Sequence, residues 1–246
     1  MVISMSQGYI DIHSHILPGV DDGARDMDMT EELLRAELEE GVTKIIATPH
    51  FDLDHNFQDV QEIQDKVAMV QKKASELSDD LTIYGGCEIL FSRGIIELLK
   101  EDKIPTLAGT NYVLVEFYPS ESHKDIYRAM RDIIQVGKIP VLAHVERYEC
   151  FIGHEEYIRD LIEVGAYIQM NARSLTGKRF AKRTRFCKSA VKHGLVHFLG
   201  TDCHNMEHRP PKMEKTARVI EDIAGEKMMK RLTHDNATVL LEGRYI

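Results

Sequence analysis

Seven short runs of β-branched and other apolar residues alternate with seven longer helical patterns along this chain. That alternation constrains the fold more than any other feature. The strand-like runs cover residues 9–13, 43–48, 82–88, 112–117, 140–145, 166–171 and 196–201. The helical patterns cover 27–40, 59–78, 92–101, 122–136, 155–164, 178–193 and 207–224. Several of the runs, such as VTKIIATP and NYVLVEF, are almost continuously apolar. Strands covered on both faces by helices have that composition. The spacing predicts an α/β fold built as one closed or nearly closed parallel barrel, with an open doubly wound sheet as the alternative. No G-x-G-x-x-G fingerprint or P-loop supports a nucleotide-binding version of that alternative.

A chain of 246 residues, 43% hydrophobic, can bury one large core. No linker-like stretch divides it, so residues 1–246 are expected to form a single domain. No segment approaches the ~18 apolar residues of a membrane span. The opening residues MVISMSQG have neither the basic region nor the apolar core of a signal peptide. A cytoplasmic protein without direct membrane insertion is expected. Cys87, Cys150, Cys187 and Cys203 lack C-x-x-C spacing and read as reduced thiols. The net charge of −9 argues against a nucleic-acid partner. One basic cluster, GKRFAKRTR at 177–185, reads as a solvated helix face. Its functional reading is local attraction of an acidic or phosphorylated partner.

Metal-capable side chains recur at one end of the repeats. His13 and His15 end the first run, His50 follows the second, and Glu88 ends the third. Glu116 ends the fourth and His144 the fifth, while Asp202 and His204 follow the seventh. Asp22 lies in the loop after the first. Barrel active sites form at the carboxyl ends of strands. Residues two apart on a strand share a face, so His13 and His15 converge while Ser14 turns away. An extended chain would bring Asp202 and His204 together in the same way. Each residue alone has an ordinary explanation: a turn for Asp22 before Gly23, a buried ion pair for Glu116. Together, nine His, Asp and Glu residues at one end of a repeating architecture point to bound cations, which also explain the burial of so many polar groups. The remaining histidines read as surface or structural, with His208 undecided because it lies near the site.

The ordered set HSHILPGVDDGA, TPH, CEI, VEF, HVERY and TDCHNMEHRPP resembles the polymerase-and-histidinol-phosphatase (PHP) superfamily. Within it, the set is most similar to the bacterial manganese-dependent protein-tyrosine phosphatases that govern capsule and exopolysaccharide synthesis in Gram-positive organisms. The resemblance runs from Tyr9 to about His234. It implies a distorted (β/α)7 TIM-like barrel carrying a trinuclear metal site. It assigns His13, His15, Glu88 and Asp202 to one metal, with Glu88 bridging to a second held by Glu116 and His144. It assigns Asp22, His50 and His204 to the third. Arg147 and Arg209 match the family's phosphate-facing arginines. Val145 departs from the family's Pro in HPERY and, on a continuing strand, would point away from its ligand neighbour. The implied partner is a phosphotyrosine protein, the tail of a membrane-associated tyrosine kinase.

Imidazole and carboxylate ligands suit manganese, iron or zinc better than calcium or magnesium. Three divalent cations outweigh four carboxylates and leave positive charge to attract a phosphate dianion. A metal-bridged hydroxide would attack phosphorus, with Arg147 and Arg209 forking onto the phosphoryl oxygens. Phenolate leaves readily, since tyrosine has a pKa of about 10; if a general acid is needed, His208 or a bound water could serve. Two C-x5-R stretches, Cys87 to Arg93 and Cys203 to Arg209, mimic cysteine-dependent tyrosine phosphatases. Neither has the glycine-rich anion loop of that chemistry, and both read as chance matches. The rivals are a PHP-type small-molecule phosphatase, such as one for histidinol phosphate, and a non-enzymatic metal-bound regulatory module.

Overall fold

Parallel strands need a crossover between them, and the crossovers here carry helices. The computed structural model describes residues 8–57, 59–178 and 180–246. In chain order it contains β1 (Tyr9–Ser14), α1 (Met27–Glu39), β2 (Val42–Ala47), β3 (His50–Phe51), α2 (Val60–Leu77), β4 (Thr82–Gly85) and β5 (Glu88–Leu90). There follow α3 (Ile95–Lys100), β6 (Tyr112–Glu116), α4 (His123–Gln135), β7 (Ile139–Leu142), α5 (Glu155–Glu163), β8 (Tyr167–Asn171) and α6 (Lys182–Lys192). β9 (Phe198–Gly200), α7 (Glu214–Ala224), α8 (Glu226–Lys230) and α9 (Asn236–Leu241) complete the chain. The strands pair in parallel as β1-β2-β4 and β3-β5-β6-β7-β8-β9. Backbone bonds from Asp202 N to His13 O (2.7 Å) and from His15 N to Cys203 O (2.9 Å) join β1 to the chain leaving β9. The sheet is therefore curled, with its two edges drawn together.

Alternation along the strands sorts two cores. Tyr112 and Leu114 of β6 face an inner cluster with Ile10, Ile12, Val141 and Phe198, whereas Val113 and Val115 face the helices. The helices answer with amphipathic stripes: α4 buries Ile126, Ala129, Met130 and Ile133 at helical spacing. β1 breaks the simple rule. It pairs Asp11 with Ile45 but Ser14 with Ala47, one residue more than its partner strand over that stretch. Such a bulge re-aims a side chain. Asp11 faces outward to Glu37 of α1 through Thr201, while His13 turns inward to the strand-end cluster.

The structure departs from the sequence reading in several places. A short further strand, β3, follows the second run beyond Thr48-Pro49, and the third run is split at Gly86-Cys87. The fifth run ends at Leu142, because His144 adopts a left-handed φ of 30° and residues Val145–Arg147 form a 3-10 turn. Val145 is therefore not on a continuing strand; it is buried in the outer core. The last predicted helix begins at Glu214, not at 207, because a helix begun at 207 would carry Pro210 and Pro211 toward its interior. Three unanticipated helical pieces follow it: α8, a π-helical turn at Arg231–Asp235, and α9. α9 inserts Ala237 and Leu240 into the inner cluster. Among the described residues no helix is long and apolar enough to cross a membrane.

Candidate metal centre

All nine candidate ligands meet at the carboxyl end of the sheet. Nε2 of His13 and Nε2 of His15 lie 3.2 Å apart, and 3.2 and 3.4 Å from Oε2 of Glu88. Asp202 Oδ1 closes this group at 3.7 and 3.5 Å from the same nitrogens. On the other side of Glu88, Oε1 lies 2.7 Å from His144 Nε2, and Glu116 Oε2 lies 3.4 Å from that nitrogen. A third group joins Asp22 Oδ1 to His50 Nε2 (3.4 Å) and His204 Nε2 (3.3 Å). His50 also belongs to the Glu88 group, since its Nδ1 lies 3.1 Å from Glu88 and 3.2 Å from Glu116. Its place between two groups goes beyond the single role expected for it.

The chain reaches these positions by devices that alternation alone does not supply. His144 and Asp202 both adopt positive φ, 30° and 52°. For non-glycine residues that conformation is strained, and it persists only where the surroundings impose it. For His144 the constraint is its N–H, which donates to Gln169 Oε1 at 2.5 Å. Asp202 is held by its N–H to His13 O and by Asn171 Nδ2, which donates to Oδ2 at 2.7 Å. The extended path proposed for Asp202–His204 is thus replaced by a left-handed turn. Two glycines permit close approach. A Cβ on Gly23 would lie 2.2 Å from His15 O, and one on Gly200 would lie 2.4 Å from His13 Cβ.

Supporting residues fix the imidazoles. His15 Nδ1 pairs with Asp21 Oδ2 at 2.7 Å, and Asp21 also accepts from the backbone of His50 (2.9 Å) and Gly23 (2.9 Å). His13 Nδ1 faces Gln169 Oε1 at 3.4 Å, and His204 Nδ1 faces Asp202 O at 3.0 Å. When Nδ1 carries the proton toward these oxygens, each Nε2 presents a lone pair to the site. Sequence reasoning missed Asp21, Gln169 and Asn171. The signal was present in YIQMN, where two polar residues interrupt a buried strand, and in the doubled aspartate before Gly23. Ser14 is turned away as expected: its hydroxyl donates to Ile46 O at 3.3 Å.

The electrostatics reflect concentrated negative charge. Burial opposes protonation of His15, but Asp21 and Glu88 outweigh it and push its pKa up to about 9. Burial likewise opposes charge on His144, and Glu88 with Glu116 pushes it up to about 9. His50 is raised further by Asp22, Glu116 and Glu88, again against burial. Glu88, fully buried, stays well below the usual carboxylate range because His13 and His144 outweigh its desolvation. Glu88 Oε2, Asp202 Oδ1 and His204 Nε2 are buried without a hydrogen bond. Buried acceptors of this kind, converging with imidazole nitrogens, fit bound divalent cations. Among the described residues, the groups here able to hold one are His13, His15 and Glu88; His50, Glu88 and Glu116; and His15, Asp22, His50 and His204, while a fourth, Asp11, Glu37 and Cys203, lies buried behind β1 outside the nine candidates.

Both predicted arginines border the centre. Arg147 Nη2 donates to Asp202 Oδ2, and Arg209 Nη2 donates to Asp22 Oδ2 at 2.9 Å. His208 is exposed, 3.8 Å from Glu207, and its carbonyl accepts from Arg173. The two C-x5-R cysteines are buried thiols. Cys87 donates to Pro105 O at 3.0 Å and Cys203 to Glu37 Oε1 at 3.4 Å. Burial drives both well above the ordinary thiol range, the reverse of what a thiolate nucleophile needs.

Known proteins similar to this chain bear on its identity. Tyrosine-protein phosphatase CpsB of Streptococcus pneumoniae is 33% identical over 242 residues, covering 96% of this chain and all of the relative. Tyrosine-protein phosphatase YwqE of Bacillus subtilis (strain 168) is 30% identical over 237 residues, covering 96% of this chain and 93% of the relative. A solved structure from the pair YwqE and CpsB, described as unique metal-dependent tyrosine phosphatases, superposes with a TM-score of 0.89 at 29% identity, covering 96% of each chain. Dihydropyrimidinase from Brevibacillus agri shares only the fold, with a TM-score of 0.59 at 12% identity over 96% of this chain and 71% of that one. The family model for capsular polysaccharide synthesis, CpsB/CapC, matches residues 9–242, and this chain belongs to that family.

Proposed function

We propose that this protein is a metal-dependent protein-tyrosine phosphatase that hydrolyses phosphotyrosine on a protein partner. The observation that carries the reading is the convergence of His13 Nε2 and His15 Nε2, 3.2 Å apart, on buried oxygens of Glu88 and Asp202 that lack hydrogen bonds. Two lone-pair nitrogens and two carboxylates at that spacing need positive charge between them. We assign His13, His15, Glu88 and Asp202 to one cation, Glu88, Glu116 and His144 to a second, and Asp22, His50 and His204 to a third, with manganese the preferred ion. His50 could also reach the second. We read β2 with β3 and β4 with β5 as one strand each, which supports a distorted (β/α)7 barrel among the described residues, and we take residues 1–246 as one metallophosphatase domain.

Divalent cations, when bound, supply Lewis acidity to the phosphoryl group and to the attacking water. The chain's own residues do the rest. Asp21, Gln169 and the Asp202 carbonyl hold Nδ1 of His15, His13 and His204, so that each Nε2 is fixed in direction. Arg147 and Arg209 are anchored through Asp202 and Asp22 and keep further N–H groups for phosphoryl oxygens, where a forked donor offsets charge gained in the transition state. The partner we favour is the tail of a membrane-associated tyrosine kinase acting in capsule or exopolysaccharide synthesis, reached from the cytoplasm.

The test combines metal analysis with turnover of a phosphotyrosine peptide. Chelation should abolish turnover and manganese should restore it. Arg147→Ala and His50→Ala should each lower kcat/KM by about 100-fold or more, as for loss of one transition-state donor or ligand. Near-normal activity in either variant, or preference for histidinol phosphate over the peptide, would sink the assignment.

A further inference from the structure

Arg183, from the basic stretch at 177–185, lies beside the candidate metal centre. Arg173, on the turn after β8, and Arg183, in the first turn of α6, line a pocket of about 390 Å³ with His208, Arg147 and Arg209. Arg147 and Arg209 border the metal centre as well, so pocket and centre are continuous. The pocket also includes Glu146, but that carboxylate is buried and occupied, accepting from Asn171 N (3.2 Å) and Ser174 Oγ (2.7 Å). Arg173 and Arg183 are both exposed. Arg173 makes a single bond to a carbonyl, and neither arginine has a carboxylate partner within 4.0 Å among the described residues.

Fold stability does not account for this placement. Lys182 and Arg183 stand at the start of α6, which has no acidic residue in its first turn. Cations there oppose the positive end of the helix dipole and weaken the helix start. The chain as a whole carries a net charge of −9, so two exposed arginines without a carboxylate partner beside the candidate centre are a local exception. Arginine is suited to forked recognition of phosphate and carboxylate groups. Arg147 and Arg209 already face the reacting phosphoryl group, which leaves Arg173 and Arg183 for a second anion.

We infer that this pocket is a specificity subsite that binds a second anionic side chain, a phosphotyrosine or an acidic residue, on the same substrate chain as the phosphotyrosine being hydrolysed. The inference rests on the proposed phosphatase activity and adds a preference for substrates bearing clustered negative charge.

Three otherwise identical phosphotyrosine peptides provide the test. A few residues from the phosphotyrosine they carry tyrosine, glutamate, or a non-hydrolysable phosphonate analogue of phosphotyrosine. The manganese-loaded enzyme should show kcat/KM about tenfold higher for at least one anionic peptide than for the tyrosine peptide, mainly through KM, as expected for one or two charge-assisted contacts. Preference for the phosphonate alone identifies a second phosphate as the ligand; preference for both identifies a general anion site. Arg173→Ala/Arg183→Ala should bring the ratio close to one, Arg173→Lys/Arg183→Lys should restore part of it, and added salt should shrink it. Equal kcat/KM for all three peptides, or a ratio unchanged in the double alanine variant, would overturn the subsite. Peptide binding read by fluorescence anisotropy separates the two claims. Selective binding without turnover would overturn the phosphatase reading and keep the subsite; turnover without selectivity does the reverse.

Discussion

At the scale of single residues, the nine candidate ligands converge at the strand ends on supports contributed by other side chains. Their supports were harder to see. Asp21 precedes Asp22 and Gly23, where a doubled aspartate is fully explained as turn chemistry. In the structure it does more. One carboxylate holds the His15 ring, the His50 backbone and the Gly23 backbone. Burial resists its charge, but its bonds to His15 outweigh burial and keep it below the usual carboxylate range. An acidic partner of this kind fixes the histidine tautomer and raises its basicity as a ligand. Asp21→Ala should therefore weaken metal binding about 10- to 100-fold, measured by competition with a chelator of known affinity. The folded state should persist by circular dichroism. Unaltered metal affinity would show that Asp21 only shapes the loop.

At the scale of elements, near-continuous apolar runs marked the strands, and period-two alternation gave the shared face of His13 and His15 and the outward turn of Ser14. It did not give the breaks. The breaks after β2 and β4 fall at Pro49 and Gly86, breakers visible in the sequence, whereas the left-handed His144 and Asp202 are held by hydrogen bonds from Gln169 and Asn171 of β8, which no local pattern encodes. The start of α7 was a different kind of miss, since Pro210 and Pro211 announced it locally. Gly200 shows how tightly β9 and β1 meet at the centre. A Cβ there would lie 2.4 Å from His13 Cβ and 2.9 Å from Gln169 Nε2, and neither neighbour can retreat without moving the cluster. Gly200→Ala should cost about 1–3 kcal/mol in urea unfolding, the usual range for overpacking a filled site. It should also lower kcat/KM by displacing His13. Wild-type stability and turnover in this variant would mean that the two strands have slack.

At the scale of the whole molecule, the candidate metal centre occupies one end of the curled sheet and the C-terminal segment packs into the inner core away from it. α9 inserts Ala237 and Leu240 into the inner core, Asn236 Nδ2 donates to His197 O at 2.8 Å, and Tyr112 Oη donates to Arg244 O at 2.6 Å. His197 is the pH-sensitive part of this packing. It is 6% exposed, its Nδ1 accepts from Ile168 N at 3.1 Å, and its ring packs edge-on against Tyr167. Burial, reinforced by the charge of Arg231, lowers its pKa to about 4. In the unfolded chain a histidine titrates near 6.5. The neutral ring thus stabilises the fold fully above that pH, and the contribution is lost as pH falls from about 6.5 toward 4, because the unfolded state takes up the proton first. Between pH 7.5 and pH 5 the loss should be about 2 kcal/mol. His197→Gln retains an acceptor for Ile168 N but cannot be protonated. Its unfolding free energy should fall less over that interval than the wild type's by about the same amount, measured by urea denaturation of both proteins in chelator, where protonation of the metal-binding side chains affects both alike. Identical slopes for the two proteins would place the acid sensitivity of the fold elsewhere than in the packing of the C-terminal helices.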